Sequence, residues 1–181
     1  MNLFHPLAHL AWKAAQGIEG ALRRRCERVA RRCQLKVSGP ADDPLMLRYR
    51  VFVRDGWELW LHNVCREDRD PHCHSHPFAR GWSLVLAGWF AEEHAAEAER
   101  RGKPRCEEPD CWHCRRSRVW RYPGTLYRIT PDTRHRFADV SNLGAWTLFL
   151  NTPRDHGWGF LVNGAIVPRA AYEAMRARGE L

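Results

Sequence analysis

The first stretch of the chain carries a helical pattern. From Leu7 to about Cys33 the apolar residues Leu7, Leu10, Ala14, Ile18, Leu22, Cys26, Val29 and Cys33 recur at helical spacing. They form one stripe with most of the arginines away from it, which predicts an amphipathic helix. Gly17 and Gly20 weaken its middle and mark where it could divide in two. Such a helix is expected to dock on the outside of the main domain or on a second subunit. The turn-rich SGPADDP stretch, Ser38 to Pro44, is the best candidate boundary.

Beyond it the period changes. Leu45 to Val53 and Trp57 to Val64 read as strands across the Asp55-Gly56 turn, a good hairpin signal. Trp82 to Phe90 is a short apolar run flanked and interrupted by glycines and reads as a buried strand. Arg118 to Tyr122, Thr125 to Ile129, His135 to Val140, Ala145 to Asn151 and Gly157 to Val162 complete the series, with turns such as Pro123-Gly124 between them. Pro168 opens a short C-terminal helix from Arg169 to about Arg178. Many short strands separated by turns predict an all-β sandwich or barrel. The expected organisation is a helical segment over 1–40 and a barrel over 45–181, with a charged, Cys-rich insert at about 91–118.

At 181 residues the barrel and its helix make one domain. Net charge is +8, and much of it sits at Arg23, Arg24, Arg25, Arg28, Arg31 and Arg32, opposed there only by Glu27. The favoured reading is the solvated face of a helix; attraction to nucleic acid or an acidic surface is the less favoured one. No apolar run approaches the ~20 residues of a membrane span. Seven cysteines, an odd number, with no secretory signal imply a reducing cytoplasm.

Chemistry concentrates in DPHCHSHPFARGWSLVLAGWFAEE, Asp70 to Glu93. His72, His74 and His76 stand at alternate positions, so in an extended strand at least two imidazoles share a face. A metal site inside a barrel needs a further His, distant in sequence and on a strand, and His135 is the candidate.

His74-Ser75-His76, then Pro77 and the strand around Gly88, resembles the first motif of the cupin superfamily. Gly81 stands where that motif usually has Glu, and Asp68 replaces its opening glycine. Gly124 and His135 keep the separation of the second motif, with Pro131 displaced and Asp139 in place of its final Asn. The likeness covers roughly Trp57 to Val162. HSHPFARGWSLVLAGWFAEE and AWTLFLNTPRDHGWGF are also similar to small bacterial and phage cupins with a His-x-His-Pro motif, a group without a common reaction.

The resemblance implies a double-stranded β-helix (a cupin or jelly-roll barrel) with His74, His76 and His135 pointing inward. Three imidazoles leave coordination positions open and suit iron(II), the favoured ion, or zinc, nickel or manganese. Glu92 is either a fourth ligand or general base, or a solvated strand-end carboxylate. Tyr127, Arg128 and Arg136 are candidates to orient a substrate, with Trp82, Trp89, Phe137 and Trp146 as apolar wall or core. His72 is placed at the rim. Separately, Cys106, Cys111 and Cys114 have the spacing of a structural zinc knuckle, with His113, His94, Cys73 or Cys65 as fourth ligand.

The first functional reading is a metal-dependent oxygenase, a non-haem dioxygenase acting on a small molecule. The alternatives are a non-catalytic small-molecule or metal-binding module, and a metal-independent sugar epimerase or isomerase. A homodimer is compatible with the apolar helix stripe, nucleic acid is a disfavoured partner, and no membrane partner is expected.

Overall fold

The computed structural model describes residues 4–101, 116–155 and 157–181, without the side chains of 4–12, 97 and 98. The chain is mostly β-strand, with a long N-terminal helix and a short C-terminal one. After α1 (Phe4–Ala30) come β1 (Gln34–Ser38), β2 (Met46–Arg54), β3 (Trp57–Val64), β4 (Gly81–Ala87), β5 (Phe90–His94) and the single turn α2 (Glu97–Arg100). Then follow β6 (Ser117–Arg121), β7 (Leu126–Ile129), β8 (His135–Val140), β9 (Ala145–Asn151), β10 (Gly159–Val162), β11 (Ala165–Pro168) and α3 (Arg169–Ala177).

The strands form a six-stranded sheet in the order β1-β2-β3-β9-β4-β7, a three-stranded sheet β6-β5-β8 and a hairpin β10-β11. Every pairing is antiparallel. The core lies between the two larger sheets. Val64, Val85 and Ala145 from one meet Phe90 and Phe137 from the other. Trp60, Ile129 and Phe149 extend it with Phe78 from the histidine segment.

Two boundaries differ from the sequence pattern. The first 40 residues are not all helical: α1 stops at Ala30, and Gln34–Ser38 is an edge strand paired along β2. The Trp82–Phe90 run is not one strand but the end of β4, a turn, and the start of β5 in the other sheet. Gly88 makes the switch with φ +71°, a conformation that costs glycine little and other residues more. The insert therefore begins after His94, since residues 90–94 belong to β5.

The helix packs on the outer face of the six-stranded sheet, where Cys26 and Ala30 cover Leu61, Ala87 and Trp146. Arg23 donates to the carbonyls of Leu143 (2.7 Å) and Gly144 (2.9 Å). Ile18, Leu22 and Val29 of the apolar stripe stay exposed. Among the described residues, no helix is long and apolar enough to cross a membrane.

Candidate metal centre

The His-Ser-His segment is held by backbone on both sides. His74 N–H donates to the His135 carbonyl (2.9 Å), and His135 N–H returns the bond (3.2 Å). The intervening Ser75 points the other way. Its N–H donates to the Gly159 carbonyl at 2.9 Å, and its hydroxyl accepts from Gly159 N–H at 3.1 Å. Alternation thus buries the serine in β10 and leaves both flanking imidazoles on one side.

There they meet His135, the first residue of β8. The ring centroids are 5.3 Å apart for His74–His76, 5.0 Å for His74–His135 and 4.9 Å for His76–His135. One nitrogen from each ring lies within 4.8 Å of the other two. The Nε2 atoms of His76 and His135 face each other at 2.8 Å. Burial, reinforced by the His135 ring, pushes the His74 pKa down to about 3. The same causes, with smaller contributions from His74 and the Arg134 charge, hold His76 well below the ordinary imidazole range. Both rings are therefore neutral near pH 7, with lone pairs to offer.

Carboxylates stand behind the imidazoles. Strand alternation turns Phe90, Glu92 and His94 of β5 inward, and the pairing of His94 with His135 puts Glu92 beside that ring. Glu92 is fully buried, with Oε1 at 2.8 Å from His135 Nδ1, an ion-pair distance at which the angle leaves no well-aligned hydrogen bond. Arg121 donates to its Oε2 (3.0 Å) and the Tyr127 hydroxyl to its Oε1 (3.3 Å). Burial alone would raise the Glu92 pKa; the His135, His94 and Arg121 groups outweigh it and hold the carboxyl well below its usual range. Glu92 is therefore no solvated strand-end residue. Asp68 Oδ2 lies 3.7 Å from His74 Nδ1. Burial, with neighbouring Asp70, lifts its pKa to about 6.

Glu92, His94 and His135 form a second group with metal-ligand spacing, which shares His135 with the first. The donor chemistry suits a divalent transition metal: neutral imidazoles for the ion, and an ionised carboxylate on the far nitrogen of one ring to orient it.

The remaining sequence candidates separate clearly. Tyr127 reaches Glu92, and burial pushes its phenol pKa well up, so it stays a protonated donor. Arg128 does not line the interior: its neighbours in β7 alternate, and it is exposed opposite Trp82. Arg121, one strand away, takes the interior place. Arg136 is bound to Glu93 and to the carbonyls of Asp68 and Asp70. Of the four wall aromatics only Phe137 lies between the sheets. Trp82 stacks on Trp57, Trp89 contacts Trp120, and Trp146 lies beneath α1. His72 bonds the Tyr172 hydroxyl (2.7 Å), outside the trio.

Cys106, Cys111, Cys114 and His113 fall outside the described residues. Of the fourth ligands considered for them, His94 faces the histidine site, with Nε2 at 3.7 Å from Glu92. Cys73 is buried with Ala95 and Leu161, and burial raises its thiol pKa to about 11. The sequence pattern singles out neither Asp68 nor Arg121 as a site residue, and offers His94 only as a ligand to the cysteines. Glu92-x-His94, two polar groups at strand spacing, is the signal that places His94 with Glu92.

Neither protein-family models nor curated proteins match the sequence. Solved structures similar to the chain include HEPD from Streptomyces albus with its substrate 2-hydroxyethylphosphonate and Fe(II) bound. That match has a TM-score of 0.49 and 10% identity, over 83% of this chain and 28% of that one. Fe(II)-HppE with the alternative substrate (S)-1-HPP gives 0.47 and 9%, over 67% and 57%. A cupin-2 domain protein from Rhodospirillum rubrum gives 0.43 and 15%, over 80% and 82%. The chain spans just over half the length of the HppE chain.

Proposed function

We propose that the chain is a metal-dependent cupin whose two sheets wrap into a double-stranded β-helix, with His74, His76 and His135 holding one divalent cation. Iron(II) is the favoured ion and an oxygenase reaction on a small molecule the favoured activity. The observation that carries this reading is the convergence of three buried imidazole nitrogens within 4.8 Å. The Nε2 atoms of His76 and His135, 2.8 Å apart, are close enough for one cation to lie against both, or for one neutral ring to donate its N–H to the other.

A bound iron(II) supplies Lewis acidity and one-electron chemistry with oxygen. The protein's own residues do the positioning. Glu92 fixes the His135 ring through Nδ1, and Arg121 and Tyr127 fix Glu92. Asp68 faces Nδ1 of His74. The aromatic pair Phe78–Phe149, beside His76, keeps water from that side of the ring. A cytoplasmic location belongs to the same reading.

Metal content of protein purified anaerobically tests it, with His76→Ala and His94→Ala compared. Loss of one metal equivalent in His76→Ala and its retention in His94→Ala supports the trio. The reverse moves the ion to the Glu92-His94-His135 group. Metal-free wild-type protein would favour the non-catalytic or metal-independent readings instead.

A further inference from the structure

A cavity of about 420 Å³ opens beside the metal centre, within the range of small-molecule sites. Its walls come from the inner face of β5 and β6 (His94, Ser117, Val119, Arg121), from Arg100 of α2, and from the β7–β8 turn, Thr130 to Arg134. It shares His94 with the Glu92 group. The cavity is therefore continuous with the residues that support the trio.

Its charge is lopsided. Arg100, Arg121 and Arg134 face it, against the single carboxylate of Asp132. Arg121 is already matched by Glu92 at 3.0 Å. Nη1 of Arg134 is buried and has no hydrogen-bond partner among the described residues. His94 Nε2 is likewise buried without a hydrogen bond. Leaving a guanidinium nitrogen desolvated and unpaired is costly, and the cost is recovered when an oxyanion accepts from it. A planar guanidinium also matches a carboxylate or tetrahedral oxyanion in two-pronged fashion. Thr133 adds a hydroxyl whose oxygen accepts from Thr130 N–H at 3.0 Å and lies 3.3 Å from the Thr130 hydroxyl.

We propose that this cavity seats the anionic end of the substrate, a small molecule bearing a carboxylate or tetrahedral oxyanion, gripped by Arg134 and Arg100. The cavity shares His94 with the Glu92-His94-His135 group, so an anion held there lies beside the histidines. The direction of this placement rests on the metal reading; the anion site itself does not.

The test therefore uses metal-free full-length protein and inorganic phosphate, read by calorimetry. Phosphate should bind saturably to wild-type protein. Arg134→Gln should weaken it at least tenfold, and Arg54→Gln, at the far hairpin, should not. Absence of saturable binding, or equal affinity in Arg134→Gln, overturns the proposal. If Arg134→Gln does not fold, Arg100→Gln on α2 decides: a severalfold loss supports the site, and unchanged affinity overturns it. Because no metal is present, failure here leaves the histidine reading standing, and loss of metal in the histidine variants leaves this one standing.

Discussion

Glu92 Oε1 sits 2.8 Å from Nδ1 of His135, and the opposite nitrogen of that ring, Nε2, faces His76 Nε2. One imidazole thus links a buried carboxylate to the histidine cluster. Carboxylates placed behind a ligating histidine fix its tautomer and raise its basicity.

Glu92→Gln should therefore keep the fold and weaken metal binding by about 10–100-fold. Competition against a graded chelator measures this. Unchanged affinity would show that Glu92 serves only to neutralise Arg121.

Gly88 is a second position where the resemblance and the geometry agree for a physical reason. It has φ +71°, and a Cβ there would lie 2.3 Å from the Gly144 carbonyl oxygen and 2.7 Å from Arg23 Nη2. Gly88→Ala should cost about 3 kcal/mol, from left-handed strain plus displaced backbone. Urea denaturation of the variant measures it, and a cost below about 1 kcal/mol would mean that the turn is not needed to pass the chain between sheets.

Much of the sheet architecture was legible. β3, β8 and β9 coincide with segments read from the sequence because all but one of their residues are buried or half-buried. β1 was missed because four of its five residues are exposed, so its pattern carries no buried face. β4 and β5 fused into one run because both contribute apolar residues and only Gly88 and Trp89 separate them. At the site, the histidines stood out by type and spacing. Their carboxylate partners did not: Glu92 lies in a charged stretch, and only the β5–β8 register shows that it is buried. The bulge between Ala91 and Glu92 that helps set this register has no marker in the sequence.

The N-terminal helix is expected to be separable from the metal centre. Its described contacts are with the outer face, through Cys26, Ala30 and Arg23. A chain beginning at Cys33, which retains β1, should bind metal with the same stoichiometry. It should also melt earlier and bind an apolar dye, since Leu61, Ala87 and Trp146 lose their cover. Loss of metal stoichiometry would place the helix within the folding core.

The C-terminal helix is tied in by one phenol. Tyr172 is buried, stacks on Phe160 with centroids 4.1 Å apart, and donates to Asp70 while contacting His72. Tyr172→Phe keeps the ring and removes the hydroxyl, so it should cost about 1–3 kcal/mol by leaving buried polar groups short of a partner. Arg176 stays on Asp70 at 3.1 Å, which should keep α3 docked. Denaturation midpoints measure the loss, and an unaltered midpoint would show that the stack alone holds the helix.

The metal-free protein should lose stability as pH falls below about 6.5. His62, His74 and His76 are all held below the ordinary value of 6.5, chiefly by burial, His74 down to about 3. Below pH 6.5 the unfolded chain takes up protons on these rings that the folded chain refuses, so protonation favours unfolding. Asp68 acts in the opposite sense. Its folded pKa is about 6 against 3.8 for the free group, so between those values the folded state binds a proton that the unfolded state does not. Three groups oppose one, and the histidines win. Each net proton is worth about 1.4 kcal/mol per pH unit, so a fall from pH 6.5 to 5.5 should cost roughly 1–3 kcal/mol. Urea midpoints of chelator-treated protein at pH 7.5, 6.5 and 5.5 measure this. A midpoint that holds steady or rises toward pH 5.5 would mean that the three rings are not buried as neutral imidazoles.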